Sequence, residues 1–477
     1  MPKNILIFSD GTGQRGGLRP DQRLSNVYKM YRAMRPGPES PIAYSDQVAF
    51  YDPGLGAGEI GSMFSFIRRM KNIFEAAVGT GIDSNMVECY ENILSEYEDG
   101  DRVMLFGFSR GAYTVRALAN VMNLCGVPTR LPDGGAIPRD GPQLRAIARE
   151  AVKTVYGHGA GKKRAHSQYY PEREEKGRRF RAKYGSAPAA GEADVQGNVQ
   201  PHFIGVFDTV AALGDRVFAT IFGVMVVTAA LFVGYSYVET LNDWKTWAAV
   251  ALLTVSIFWY LKVFSSQIRY FEPDPDNPLR WFKPWDWPAI FRHTHRASWD
   301  KKHYDKWLDA DVGYARHAMA IYENRKNFPR VKWGSMSEVR KNAHKTNPLW
   351  LDQVWFSGCH SDIGGSYHES ESRLSDIAMA WMVGELTSCY PSVRINGPAL
   401  NLSPDAEGLQ HSEDIFLDMK FAKIPWPRKP REVEDDFRLH PTVILRLESG
   451  CVPHPGEIKP YRPPQLQNHP QARKFYE

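Results

Sequence analysis

At 477 residues the chain has room for one large domain with insertions or for two ordinary ones, and its 43% apolar content is enough for a real core, which excludes a disordered chain. A formal charge of +5 is small for this size and gives no case for nucleic acid as a partner. The five cysteines, Cys89, Cys125, Cys359, Cys389 and Cys451, form no C-x-x-C pair and the histidines form no H-E-x-x-H, so spacing argues against a disulfide framework and against a metal centre.

The chain opens with a buried strand, Asn4 to Phe8, and a loop, Ser9-Asp10-Gly11-Thr12-Gly13, at that strand's C-terminal end, where open α/β sheets carry their sites. Two readings of the loop compete: Asp10 caps backbone N–H groups of an ordinary turn, or Gly11 or Thr12 offers an N–H to an oxyanion. The opening apolar run is too short for a signal peptide and points to a cytoplasmic start. The spacing then predicts a helix from Ser25 to about Met34, a strand from Gln47 to Tyr51, a helix from Glu75 to Tyr97 and a strand from Asp101 to Phe106. This alternation implies a mainly parallel sheet with helices on its faces.

Directly behind the last of these strands stands Gly107-Phe108-Ser109-Arg110-Gly111-Ala112, followed by a helix-forming stretch to Leu124. A strand running into G-x-S-x-G and then a helix is the form of a nucleophile elbow. It lifts Ser109 clear of the sheet and puts the Arg110 N–H at a helix start, ready to donate to an oxyanion.

From about 126 to 200 the sequence is polar and Gly- and Pro-containing, with basic residues Lys162-Lys163-Arg164; it reads as a solvated insertion, against the alternative of a surface resting on anionic lipid. Phe203 to Phe207 resumes the buried-strand pattern and ends at Asp208, placed either as a helix cap or as the acid of a triad. Val217 to Val238 carries no charge and Thr246 to Phe264 only Lys262, so the two predict a transmembrane helical hairpin with both ends on one side. Arg216, Lys262 and Arg269 flank it, which places the globular part in the cytoplasm. Trp281, Trp285 and Trp287 suit a membrane–water interface; a hydrophobic lid on a soluble enzyme is the competing reading.

Tyr314 to Ile321 reads as a helix, Val331 to Met336 as a short strand, and Gln353 to Phe356 as a strand that ends in Ser357-Gly358-Cys359-His360-Ser361-Asp362-Ile363-Gly364-Gly365. His360, last in the chain order Ser109, Asp208, His360, is the best-placed base. Within that helix His317 reads as a packing residue, and Asp376 is a reserve acid. Asp362 shapes the His360 loop by bonding backbone N–H groups, and Arg110 and Asp10 are the candidate supporting residues. A helix from Ser375 to Thr387 follows, and the Pro-rich remainder wraps the domain. These boundaries give the N-terminal hydrolase part as 1–212, the hairpin as 213–266, an aromatic juxtamembrane segment as 267–310 and the C-terminal hydrolase part as 311–477.

Ile7 to Gly13, Tyr51 to Gly54, Gly79 to Asp83, Gly107 to Arg116, Gly205 to Val210, Ala315 to Ala318 and Trp355 to Tyr367, in this order, resemble the α/β-hydrolase catalytic domain of the Tle-like phospholipase effectors of type VI secretion. The likeness covers about residues 1–130, 200–212 and 310–390. It implies Ser109 as nucleophile, Asp208 as acid and His360 as base, acting on bacterial glycerophospholipids without a cofactor or metal. With the hairpin added, the expected partners are a phospholipid bilayer as substrate and anchor, and a regulatory or immunity protein. The departure is the hairpin between acid and base. It favours a resident enzyme of the bacterial inner membrane over an injected effector. A non-catalytic membrane scaffold on a hydrolase fold is the rival from another class.

Overall fold

The computed structural model describes the chain except residues 1, 15, 18–22, 55–79, 163–166, 190–193, 211–215, 240–243, 298–305, 335 and 420–421. The start of the helix expected from Glu75, the glycine Gly79 and most of the 162–164 basic run lie outside the described residues.

Six strands form one sheet: β1 (Asn4–Ser9), β2 (Gln47–Asp52), β3 (Arg102–Phe108), β4 (Phe203–Phe207), β5 (Tyr314–Ala320) and β6 (Leu351–Phe356). Their order is β2-β1-β3-β4-β5-β6, and every neighbouring pair is parallel. A parallel sheet is apolar on both faces, because each connection returns over one face or the other. Ile5, Ile7, Val103, Leu105, Ile204 and Val206 face α2 (Thr80–Glu96) and α3 (Arg110–Cys125). The alternate residues Leu6, Phe8, Met104, Phe106, Phe203 and Phe207 face the opposite layer, with α1 (Asn26–Met34) and the late helix Arg373–Cys389. The chain reverses its direction of travel across the sheet between β1 and β3, so the loops after these two strands diverge and leave a crevice at the C-terminal edge.

Three expectations need correction. Tyr314–Ala320 is a strand, not a helix, paired on both sides with β4 and β6. Its Ala and Met residues favour a helix locally, but tertiary pairing overrides that preference, and its polar members are buried with partners. Arg316, for example, is fully buried, with its Nε on Glu385 Oε2 at 2.6 Å and Nη1 on two carbonyls. Second, the described residues of the Val331–Met336 segment form no strand: Val331 N donates to Thr209 O at 3.2 Å, and a short helix begins at Met336. Third, residues 126–200 are not merely a solvated insertion. Helices Gly141–Arg149 and α4 (Tyr169–Tyr184) bury Leu144, Ile147, Phe180 and Tyr184 in the same core as α2 and α3.

The hairpin region forms two helices of 23 residues each, α5 (Arg216–Val238) and α6 (Trp244–Ser266), which touch one another. Among the described residues α6 is long and apolar enough to cross a membrane, and Val226–Tyr237 is a shorter apolar stretch. The tail after Tyr390 adds two small hairpins and the helix Pro441–Glu448. Trp355 N and O bond Arg438 O and His440 N, so the tail covers the open edge of β6.

Candidate active site

Ser109 sits between β3 and α3 with φ 57° and ψ −118°, a region that L residues adopt only when the surroundings enforce it. The enforcement is steric. A Cβ on Gly107 would lie 2.5 Å from Gly111 O, and one on Gly111 would lie 2.0 Å from Ser9 O, so the turn closes only with glycine at both positions. Ser109 N donates to Phe207 O at 3.1 Å, which ties the elbow to the end of the next strand.

That next strand ends at Asp208, also at positive φ, 37°. Asp208 N donates to Ala318 O at 2.8 Å, and the turn presents the carboxylate back across the sheet edge. His360 begins the loop after β6. Its Nε2 lies 2.8 Å from Ser109 Oγ and its Nδ1 2.6 Å from Asp208 Oδ2. Three side chains from three strand ends, 251 residues apart at the extreme, thus meet in one line. The ring of His360 is fixed between Phe108, stacked at 4.7 Å between centroids, and Phe328, edge-on at 5.3 Å. All three residues are buried, Ser109 being the most open at 7%.

Burial alone would push the Asp208 carboxyl up. The Arg431 guanidinium and the His360 ring outweigh it and hold the carboxyl well below the usual carboxylate range. Arg431 grips Asp208 with two nitrogens, Nη1 on Oδ1 at 2.5 Å and Nη2 on Oδ2 at 3.2 Å, and also donates to Ala320 O and Phe328 O. Ala320 N completes the set on Oδ1 at 3.0 Å. Sequence reasoning missed Arg431: it stands in a basic, Pro-rich part of the tail among Arg428 and Lys429, with nothing to distinguish it from solvated charges.

The remaining candidates fall in two groups. Gly11 packs against the nucleophile, since a Cβ there would lie 3.3 Å from Ser109 Cβ. Its N–H, however, donates to Asp10 Oδ1 at 2.7 Å and is engaged within its own loop. The Arg110 N–H lies at the first turn of α3, where the helix offers partial positive charge. Asp10 does not touch the line of three. It accepts from Ser25 Oγ at 2.5 Å and Tyr51 Oη at 2.7 Å, binding the first loop to α1 and β2, and burial pushes its carboxyl up to about 6 against these donors. Asp362 likewise stays off the His360 ring: it accepts from Cys359 N, His411 N and His411 Nδ1 and so sets the loop's shape. His317 lies on β5, where Nε2 accepts from Thr209 N and Nδ1 meets Gln353 Oε1, away from Ser109. Asp376 pairs with Lys29 at 3.1 Å in the opposite layer.

Chemically, a hydroxyl facing an imidazole whose far nitrogen rests on an ionised carboxylate can surrender its proton while attacking an electrophile. Against this geometry, the sequence model for the catalytic domain of Tle1-like phospholipase effectors of type VI secretion matches residues 3–234 and 284–385, more than half of the chain. The chain belongs to this family. It is a family of lipolytic hydrolases, and both the elbow and the His360 loop lie inside the matched residues. The match breaks off within α5 and resumes after the Ile268–Tyr270 strand, so α6 lies outside it, as does the tail carrying Arg431.

Over 130 residues the chain is 29% identical to an uncharacterised protein of Saccharomyces cerevisiae, YEL023C, covering 26% of this chain and 18% of that protein. It is also similar to an uncharacterised protein from Pseudomonas aeruginosa known from a crystal structure, at 15% identity and a TM-score of 0.33, covering 84% of this chain and 47% of the other. The chain therefore spans less than half the length of either relative.

Proposed function

We propose that this chain is a membrane-anchored serine hydrolase that cleaves acyl esters of glycerophospholipids, a phospholipase of A type. The observation that carries the reading is the hydrogen-bonded line from Ser109 Oγ through His360 to Asp208, with Arg431 keeping the acid ionised. Ser109 Oγ attacks the ester carbonyl as its proton passes to His360 Nε2. The carbonyl oxygen gains negative charge, met by the N–H groups of Arg110 and Thr12. Collapse expels the lysolipid alkoxide, which takes the proton from His360, and leaves the fatty acyl group on Ser109. Water, deprotonated by the same imidazole, then releases the fatty acid and restores the serine.

The hairpin supplies the lipid. Val227, Leu231, Trp247, Val255, Phe258 and Leu261 are exposed on α5 and α6, whereas a lid lying on the enzyme would bury such residues against it. Exposed Trp281, Trp285 and Trp287 follow, at the level where aromatic rings meet headgroups. Anchoring raises the effective concentration of ester at the site without tight headgroup contacts. On the charge of its flanks, the hairpin sits in a bacterial inner membrane with the hydrolase part in the cytoplasm, under control of a regulatory or immunity protein.

The test is fatty-acid release from vesicles of bacterial phospholipid by detergent-purified protein, wild type beside Ser109→Ala. Release by wild type alone, with labelling of Ser109 by a fluorophosphonate, is the expected result. Equal, negligible release together with no labelling would leave only the scaffold role.

A further inference from the structure

Apart from the line of three, the insertion and the segment following the hairpin bring together three buried residues that the hydrolase chemistry does not use. His158 lies in the turn after residues 141–157, Glu172 in the first turn of α4, and His295 on the short strand Thr294–Arg296, which pairs with Ile268–Tyr270 directly after α6. One ligand atom from each lies within 4.8 Å of the other two, and their exposures are 0%, 7% and 7%.

The tautomer of His295 follows from its hydrogen bond. His295 Nε2 lies 2.7 Å from His158 O, and a carbonyl only accepts, so the proton is on Nε2 and Nδ1 bears a lone pair. His295 Nδ1 is buried with no hydrogen-bond partner among the described residues, and a buried acceptor without a donor is costly. An imidazole held through one N–H by a carbonyl, with the other nitrogen bare, is arranged as metal ligands usually are. His158 Nε2 lies 2.7 Å from Glu172 Oε2, so this nitrogen and this oxygen stand side by side, and an ion would replace the proton they share. The Glu172 carboxylate is steadied on its second oxygen by His293 Nδ1 at 2.8 Å, and Tyr169 stacks on His295 at 3.6 Å.

We propose that His158, Glu172 and His295 bind a divalent transition-metal ion of the zinc type, as a structural clamp between the insertion and the ribbon at the base of the hairpin. The nearby Lys176, Arg173 and Arg269 repel an added cation. Hard ions bound mainly by charge, such as calcium and magnesium, are therefore rejected, while an ion that bonds strongly to imidazole nitrogen is kept. The cysteine and histidine spacings gave no sign of this site because its ligands are drawn from segments more than a hundred residues apart. The clamp would act on anchoring rather than on chemistry: Lys176 Nζ to Tyr270 O and Arg179 to Glu272 O already hold the same junction, and the metal would fix it.

The full-length protein in detergent, stripped with a chelator and desalted, is titrated separately with zinc, cobalt, calcium and magnesium salts. The expected result is stoichiometric cobalt uptake with a visible absorption band typical of four-coordinate nitrogen and oxygen ligation. Zinc should displace the cobalt, and only these two ions should raise the thermal midpoint. His158→Ala with His295→Ala should abolish uptake, while Cys451→Ser should leave it intact. If the double variant does not fold, the wild-type cobalt spectrum decides by itself: no band, or a band with the thiolate charge-transfer absorption of cysteine ligation, overturns the proposal, as does undiminished uptake by a folded double variant.

Discussion

The crevice and the hairpin solve opposite problems with the same kind of residue. At the crevice, apolar side chains such as Phe108 and Phe328 are turned inward to immobilise one imidazole, and both oxygens of the Asp208 carboxylate accept from donors. On the hairpin, apolar side chains such as Val227, Leu231, Val255 and Leu261 are exposed. The first region derives its order from the folded chain; the second requires an apolar surrounding. The difference teaches that substitutions at the crevice should alter chemistry or folding whatever the surroundings, whereas those on the hairpin should alter only encounters with lipid.

The comparison breaks most severely at Ser109. Ser109→Ala should reduce vesicle hydrolysis by about 10⁴–10⁶-fold with an unchanged melting curve, because it deletes the attacking oxygen and nothing else. A residual rate within tenfold of wild type would mean that the nucleophile lies elsewhere. Gly111→Ala should instead abolish activity by preventing the elbow from closing, since the added methyl has no space beside the Ser9 carbonyl. Its signature is lost soluble expression or a melting transition lowered by many degrees, which Ser109→Ala should not show.

Arg431→Gln should come next. Removing one member of a buried pair leaves the other charge unmatched, at about 3–5 kcal/mol. Asp208 then protonates more readily, and a neutral acid neither orients nor stabilises an imidazolium. The expected effect is a fall in turnover of about 10²-fold or more that lessens as pH is raised, with Arg431→Lys recovering part of the loss. A turnover unaffected by Arg431→Gln would confine this arginine to packing.

On the hairpin, Leu252→Lys with Val255→Lys places two charges on the outward face of α6, at about 2.5–3.5 kcal/mol each within a bilayer. The double variant should leave the membrane fraction and lose most hydrolysis of vesicles, yet turn over a short, water-soluble ester like wild type. Retained sedimentation with membranes after carbonate extraction would show that the anchor is elsewhere.

Legibility in the sequence followed the same division. The elbow could be read because close packing demands glycine at two fixed positions, and steric demands leave a local signature. The strand ends that carry Asp208 and His360 to Ser109 were readable because each residue follows an apolar strand. By contrast β5 was misread: Tyr314–Ala320 is buried on both faces, so the two-residue alternation that marks a half-exposed strand is absent. Arg431 was invisible because its role depends on where a long irregular tail returns to the sheet, and that is decided by tertiary contacts such as Trp355 with Arg438 and His440. The packing of residues 126–200 was hidden for a similar reason: helices that bury arginines, such as Arg181 against Asp194 and Leu124 O, look solvated until their partners are known.

The smallest expected effect is the crevice's share of the dependence of stability on pH. Burial pushes Asp10 up to about 6, and Asp52, held by Ser9 and Asn85, up to about 7, from a usual value near 3.8. A carboxyl raised on folding keeps its proton in the native state after the unfolded chain has released it. At these two positions native protein therefore binds more protons than the unfolded chain between about pH 4 and 7, and their contribution to stability falls as pH rises through that window. Asp208 has the opposite sign, its carboxyl being lowered, and its contribution is lost only on going below about pH 4. Buried histidines also oppose the trend: burial holds His295 and His440 down to about 4, so they favour the folded chain more as pH rises. Asp10→Asn can keep the contacts, since its amide oxygen still accepts from Gly11 N–H and its NH₂ donates to the Ser25 and Tyr51 hydroxyls, but it cannot titrate. Relative to wild type its stability should rise between pH 4 and pH 7 by the Asp10 share, while Leu252→Lys with Val255→Lys should leave the wild-type pH dependence unchanged. A wild-type slope in Asp10→Asn would mean that Asp10 is ionised in the folded protein throughout, with its three donors outweighing burial.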